Sequence, residues 1–150
     1  MISSWIPLEM LEEWHWACNS KGWTSNLHGE QWVRQAFDAS TREKANEQYR
    51  LLICDGYDSY ISASFMCFCI DNNIILFLLP SHSSHLLQPL DVEVFGSVKS
   101  AMAVQLNRLF ALEISRLQKV KWVEKYIPAR EKAMRESNIK GGWCGAGIFP

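Results

Sequence analysis

Two short apolar runs restrict this chain to a narrow set of folds. They are Tyr49-Arg50-Leu51-Leu52-Ile53-Cys54 and Ile74 to Leu79, and a segment of helical character separates them. Runs of this length, apolar without alternation, are the mark of strands covered on both faces, as in parallel sheets. The first ends at Asp55-Gly56 and the second at Pro80, with a turn expected over Tyr57 to Tyr60. Between them Ser62 or Ser64 can cap a helix through Phe65, Phe68 and Cys69, with Asn72-Asn73 as its stop. Parallel strands joined by a helix imply a right-handed crossover. The fold class is therefore α/β.

Helices flank this unit. Upstream, Thr24, Ser25 or Asn26 caps a helix whose Leu27, Trp32, Val33, Ala36 and Phe37 fall near the 3.6-residue period. Pro7 can start a short helix over Leu8 to Asn19, and the polar stretch Asp38 to Gln48 reads as containing a loop, with a short helical turn at Thr41–Glu47. Ser81 to Pro89 reads as a polar loop. From Asp91 onward Val92, Phe95, Val98, Met102, Leu106, Leu109 and Phe110 step by threes and fours, giving about five helical turns. Val120 to Glu136 is helical too, with Pro128 expected to kink or divide it near Ile127. Lys140-Gly141-Gly142 reads as a stop, followed by an apolar, glycine-broken tail; residues 112–150 form a helical extension.

A chain of 150 residues is long enough for one domain with a real core, and 48% hydrophobic against 21% charged residues is an ordinary globular balance. The formal net charge of −1 gives no global basic signature, so any nucleic-acid affinity rests on a local patch. Arg108, Arg116, Lys119, Lys121, Lys125, Arg130, Lys132 and Arg135 form a downstream basic set, mixed with Glu113, Glu124 and Glu131. It reads first as a solvated helical face and second as a weak phosphate-binding one. The seven tryptophans read as core and interface anchors rather than base-stacking platforms. Five cysteines, an odd number in apolar or helical contexts, read as reduced thiols of a soluble intracellular protein. The start lacks a signal-peptide pattern, and Ile74 to Leu79 falls far short of the ~20 residues that span a bilayer.

Asp55 follows a strand and Asp91 opens a helix, so one β-α-β unit can carry both carboxylates to one sheet edge. Two such groups can share divalent cations and serve phosphodiester chemistry. Cys67, Cys69, His82 and His85 offer a nominal zinc set, but side chains two apart on a helix diverge by about 200°. His82 and His85 are better read as ordering the loop before Asp91 through hydrogen bonds, or as touching phosphates.

The stretch from Leu51 to Gly56, then Phe68-Cys69 and Asn72-Asn73-Ile74, and then His82-Ser83-Ser84-His85-Leu86-Leu87-Gln88-Pro89-Leu90-Asp91-Val92, resembles the DDE superfamily endonucleases. The likeness is to pogo-type transposases of the mariner group, relatives of jerky and centromere protein B. Phe95-Gly96 and Lys99 extend it, as do Gly22-Trp23-Thr24-Ser25-Asn26 upstream and Gly142-Trp143 and Gly147-Ile148-Phe149-Pro150 downstream. The resemblance implies a ribonuclease-H-like fold, here partial with two parallel strands, and a DNA-cutting site of three acids holding Mg2+ or Mn2+. Asp55 resembles the second acid and Asp91 the third, with His82, His85 and Gln88 in loop support or phosphate contact. No upstream acid among Glu9, Glu12, Glu13, Glu30 and Asp38 ends an apolar strand, so the first acid and first strands are expected to be missing. Where the family commonly has Asp-Gly-His-x-Ser-His, this chain reads Asp55-Gly56-Tyr57-Asp58-Ser59-Tyr60; tyrosine does not accept a proton near neutral pH as imidazole does. The resemblance thus implies DNA as partner and the nucleus as location, in a truncated and inactive transposase-derived domain. The alternatives are an interaction module, joining a full-length transposase or itself through an exposed sheet edge, and a decaying transposon remnant.

Overall fold

The structure is a computed structural model that describes residues 14–17, 24–56, 62–111 and 119–149. The chain forms two compact units, His15–Ser84 and Met1–Trp14 with His85–Pro150. The expected turn at Tyr57 to Tyr60 lies outside the described residues, as does most of the expected Leu8 to Asn19 helix; Trp14 to Ala17 carry no regular secondary structure.

The unit over 15–84 begins at Ser25. Its hydroxyl accepts from the His28 amide, and the His28 ring accepts from the Ser25 amide, capping α1 (Asn26–Trp32) at both donors. The helix carries on past Asp38, in line with the helical turn expected at Thr41–Glu47, and the expected loop falls at the end of the polar stretch, from Asn46. The helix widens to a π-helical segment, Val33–Asp38, and continues as α2 (Ala39–Ala45). Its polar side chains are satisfied within the helix: Ser40 Oγ donates to the Ala36 carbonyl and Thr41 Oγ1 to that of Phe37, each at 2.6 Å. The stop comes at Asn46, whose left-handed backbone (φ 46°) caps the last turn.

The β-α-β expectation holds. β1 (Arg50–Cys54) pairs in parallel with β2 (Ile74–Leu78), in register from Arg50 against Ile74 to Cys54 against Leu78. α3 (Ala63–Asp71) connects them, and Ser62 is its cap, accepting from the Phe65 amide at 3.3 Å. Leu52, Cys54 and Ile74 point from the sheet into a core with Val33, Phe65 and Cys69, of which Val33 and Phe65 are completely inaccessible to water. The opposite sheet face corrects the expectation of strands covered on both sides. Leu51, Ile75 and Phe77 are 49%, 51% and 53% exposed. The sheet is a two-stranded α/β layer with helices on one face, consistent with part of a ribonuclease-H-like fold.

The short α4 (Ser84–Leu87) interrupts the expected loop over Ser81 to Pro89. In the second unit a π-helical segment, Leu90–Val94, leads into α5 (Phe95–Phe110), as the periodicity predicted. α6 (Lys119–Ala133) packs on α5 through Ala101, Met102 and Ala129, flanked by Leu106 and Tyr126. Pro128 does not divide α6. It lies exposed, where water can take over from the missing amide donor, and the break falls instead at Met134 and the extended Arg135.

α7 (Glu136–Gly145) runs through Gly141 and Gly142, the expected stop. The reason is contact rather than propensity. A Cβ on Gly142 would collide with the Pro89 carbonyl, and one on Gly145 would come within 2.9 Å of Val92 Cγ1. Small residues let α7 press against Pro89 and the π-helical segment Leu90–Val94, as only glycine can at such separations. Among the described residues no helix is long and apolar enough to cross a membrane.

Candidate metal-binding carboxylates

Asp55 follows the last residue of β1 and is half-buried. β1 and β2 run parallel and finish together, the Leu79 amide donating to the Cys54 carbonyl at 2.8 Å. The carboxyl ends of parallel strands are where open α/β sheets bind ligands, because side chains leaving them are free of the ladder. The Asp55 carboxylate makes no hydrogen bond or ion pair with the described residues, so both oxygens are open. Its neighbour Cys54 is chemically quiet. Burial first, then the Asp55 and Cys69 charges, push its thiol up to about 12, so it stays protonated at neutral pH. Burial likewise raises the Cys69 thiol, which Arg50 partly offsets.

Asp91 belongs to the other unit, in the first turn of Leu90–Val94. Its amide donates to the Gln88 carbonyl at 2.9 Å, and the Val92 amide to the same oxygen at 3.0 Å. The Asp91 carboxylate is exposed and unengaged among the described residues. His82 and His85 are both exposed, His82 with a left-handed backbone (φ 60°), and their side chains make no hydrogen bond with described residues. Ser83 orders that loop instead, its hydroxyl donating to the Pro80 carbonyl at 2.7 Å.

These two carboxylates are hard oxygen donors of the kind Mg2+ and Mn2+ take, and neither is tied up elsewhere. Among the described residues no group of three or more His, Cys, Asp or Glu side chains is assembled that could hold a metal ion.

The best-built charged cluster is one that sequence reasoning missed. Buried Asp38 pairs with Arg50 at 2.8 Å and with Arg42 at 2.6 Å. Arg50 also donates to Thr41 Oγ1 and the Asn72 carbonyl, and Arg42 to Asn72 Oδ1. Burial acts to raise the Asp38 carboxyl, but hydrogen bonds and charge from Arg42 and Arg50 outweigh it and hold the group below its usual range. The Asp38–Arg42 spacing of four is legible as a helical pair; Arg50, beyond a turn, is not. Arg50 opens β1 whereas Asp55 follows its end, about 16 Å further along at the rise of a strand. The cluster locks α2, β1 and α3 together and stands apart from the candidate site.

A family model described as DDE superfamily endonuclease matches residues 6–143. The chain belongs to the DDE superfamily endonuclease family. A curated relative, "MFS-type transporter clz9" of Cochliobolus lunatus, is 34% identical over 149 residues, which are 99% of this chain and 16% of that protein. The chain therefore spans about one-sixth of that relative's length. No solved structure matches.

Proposed function

We propose that this chain is the later part of a pogo-type transposase catalytic domain, in which Asp55 and Asp91 supply two of three carboxylates for divalent cations at a DNA phosphodiester. The observation that carries this reading is the family match over residues 6–143, together with Asp55 unengaged at the carboxyl end of a parallel strand. When bound, Mg2+ or Mn2+ would polarise the phosphodiester and lower the pKa of the attacking water. The chain's own part is to hold two open carboxylates, Asp55 on the strand end and Asp91 on a helix start. Residues 112–150 are in this reading a C-terminal extension of the catalytic core, with α6 and α7 as its described helices.

Two carboxylates bind a hard divalent cation weakly, since a tight site draws on more protein oxygens. The 150-residue polypeptide alone is therefore expected to leave supercoiled DNA uncut while retaining weak Mn2+ and DNA binding. Nicking of supercoiled plasmid with Mg2+ by the purified chain, abolished by Asp55→Ala or Asp91→Ala, would overturn its inactivity. Mn2+ titration by calorimetry, unchanged in both variants, would overturn the metal role. A nuclear location goes with DNA as the substrate. The transport named for the curated relative is not carried over, because the shared stretch is a sixth of that protein and coincides with the endonuclease match.

A second reading has one observation in its favour. The uncovered apolar sheet face, with Leu51, Ile75 and Phe77 each about half exposed, suits a module that joins a full-length transposase or a second copy. Size-exclusion chromatography of the chain across a concentration series tests it; a monomer throughout excludes self-association.

A further inference from the structure

The second unit contains a groove of about 440 Å³ between the first half of α5 and the α6–α7 junction. Lys132 and Arg135 stand on one wall, Ser97 and Ser100 on the other, with Gly96 beside them and Glu93 at the α5 start. The two cations are exposed and form no ion pair among the described residues. Elsewhere in this unit Lys121 is paired with Glu124 and Lys140 with Glu136, whereas Lys99 and Lys125 form no ion pair among the described residues either.

The serine hydroxyls are also uncommitted. In a helix a serine commonly donates back to a carbonyl one turn earlier, as Ser40 does here, but Ser97 and Ser100 make no side-chain hydrogen bond among the described residues. Arg135 precedes α7 in an extended conformation and offers no side-chain cap, so the positive end of that helix adds to the field. Space is available as well: a Cβ placed on Gly96 would meet nothing within 4 Å. Two free cations and two free hydroxyl donors can cradle a tetrahedral oxyanion, against the opposing charge of Glu93.

We propose that this groove binds backbone phosphates of DNA, with Lys132 and Arg135 as charge partners and Ser97 and Ser100 as hydrogen-bond donors. The source of the phosphate rests on the endonuclease reading, whereas the anion chemistry does not. The groove does not include Asp91. Its lining does not include Asp55 either, so its residues are positioning residues.

The test uses the full chain and a fluorescein-labelled 20-base-pair duplex, read by anisotropy at several salt concentrations. Lys132→Ala with Arg135→Ala should weaken binding by about tenfold or more and reduce the slope of log affinity against log salt by about 1.8. Gly96→Leu should weaken binding by filling the groove, with an unchanged circular dichroism spectrum, and Glu93→Gln should tighten it by removing the opposing charge. Wild-type affinity and slope in the double variant, or full binding by Gly96→Leu, would overturn the proposal. So would millimolar inorganic phosphate displacing the duplex as well from the double variant as from the wild type. Mn2+ binding lost in Asp55→Ala but kept in Lys132→Ala/Arg135→Ala reports on the carboxylate reading separately, so the two can fail independently.

Discussion

At the scale of single residues, Asp38 and Asp55 show two opposite fates for a carboxylate. Asp38 is buried and saturated by Arg42 and Arg50; Asp55 is half-buried and open. Only the first contributes to stability. Removing one member of a buried pair strands the other, and Arg50 retains only 9% side-chain exposure. Asp38→Asn is therefore expected to lower unfolding free energy by about 3 kcal/mol in urea titrations at pH 7. The pH dependence follows from the depressed carboxyl of Asp38. Its stabilisation is complete above the unfolded-state value of about 4, and is lost as pH falls through the folded-state value. The gap between wild type and Asp38→Asn should thus narrow on acidification to pH 3; a gap that stays constant would show that the charge is not the source. Asp55 was legible in the sequence because an acid directly after an apolar run must leave the strand end. Asp38 was not, because its decisive partner lies twelve residues away across a turn.

At the scale of elements, what was legible was periodicity and what was not was packing. The β-α-β unit and the α5 helix were readable from their residue spacing alone. Element ends were misread wherever a local signal met a tertiary contact. Ser40 looks like a loop residue but bonds within the helix, and Pro128 looks like a break but sits in an exposed position. Gly142 is the clearest instance, a helix breaker by propensity that is required by the closeness of α7 to Pro89. In isolation Gly→Ala in a helix stabilises by about 1 kcal/mol. Gly142→Ala is expected to do the reverse, destabilising by about 1–3 kcal/mol as α7 is forced off the Pro89 carbonyl. Gly96→Ala in α5, where the added methyl meets nothing, is the control and should stabilise by about 0.5–1 kcal/mol. Thermal melts of the two variants should move in opposite directions; shifts of the same sign would mean that α7 does not press on that carbonyl.

At the scale of the whole molecule, the apolar runs carry a demand that the described structure meets on one side only. Continuous apolar strands suit a sheet with both faces covered, and here Leu52, Cys54 and Ile74 face the helices while Leu51, Ile75 and Phe77 face outward. In register, Leu51 lies opposite Ile75 and Ile53 opposite Phe77, so these side chains form one contiguous apolar block. Which element covers a face is written in the covering element and not in the strands, so this half of the architecture was unreadable from Tyr49 to Leu79. A block of that kind on a single chain drives association, and the open edges of a two-stranded sheet offer backbone partners as well. The chain is accordingly expected to self-associate with rising concentration in sedimentation-velocity runs and to bind a hydrophobic dye. Ile75→Thr with Phe77→Thr keeps strand-compatible side chains while removing apolar area from the outer face alone. That variant should sediment as a monomer, lose most dye fluorescence and keep the wild-type circular dichroism spectrum. Equal association by the wild type and the double variant would place the sticky surface elsewhere, and with it the interaction-module reading of this sheet would fall.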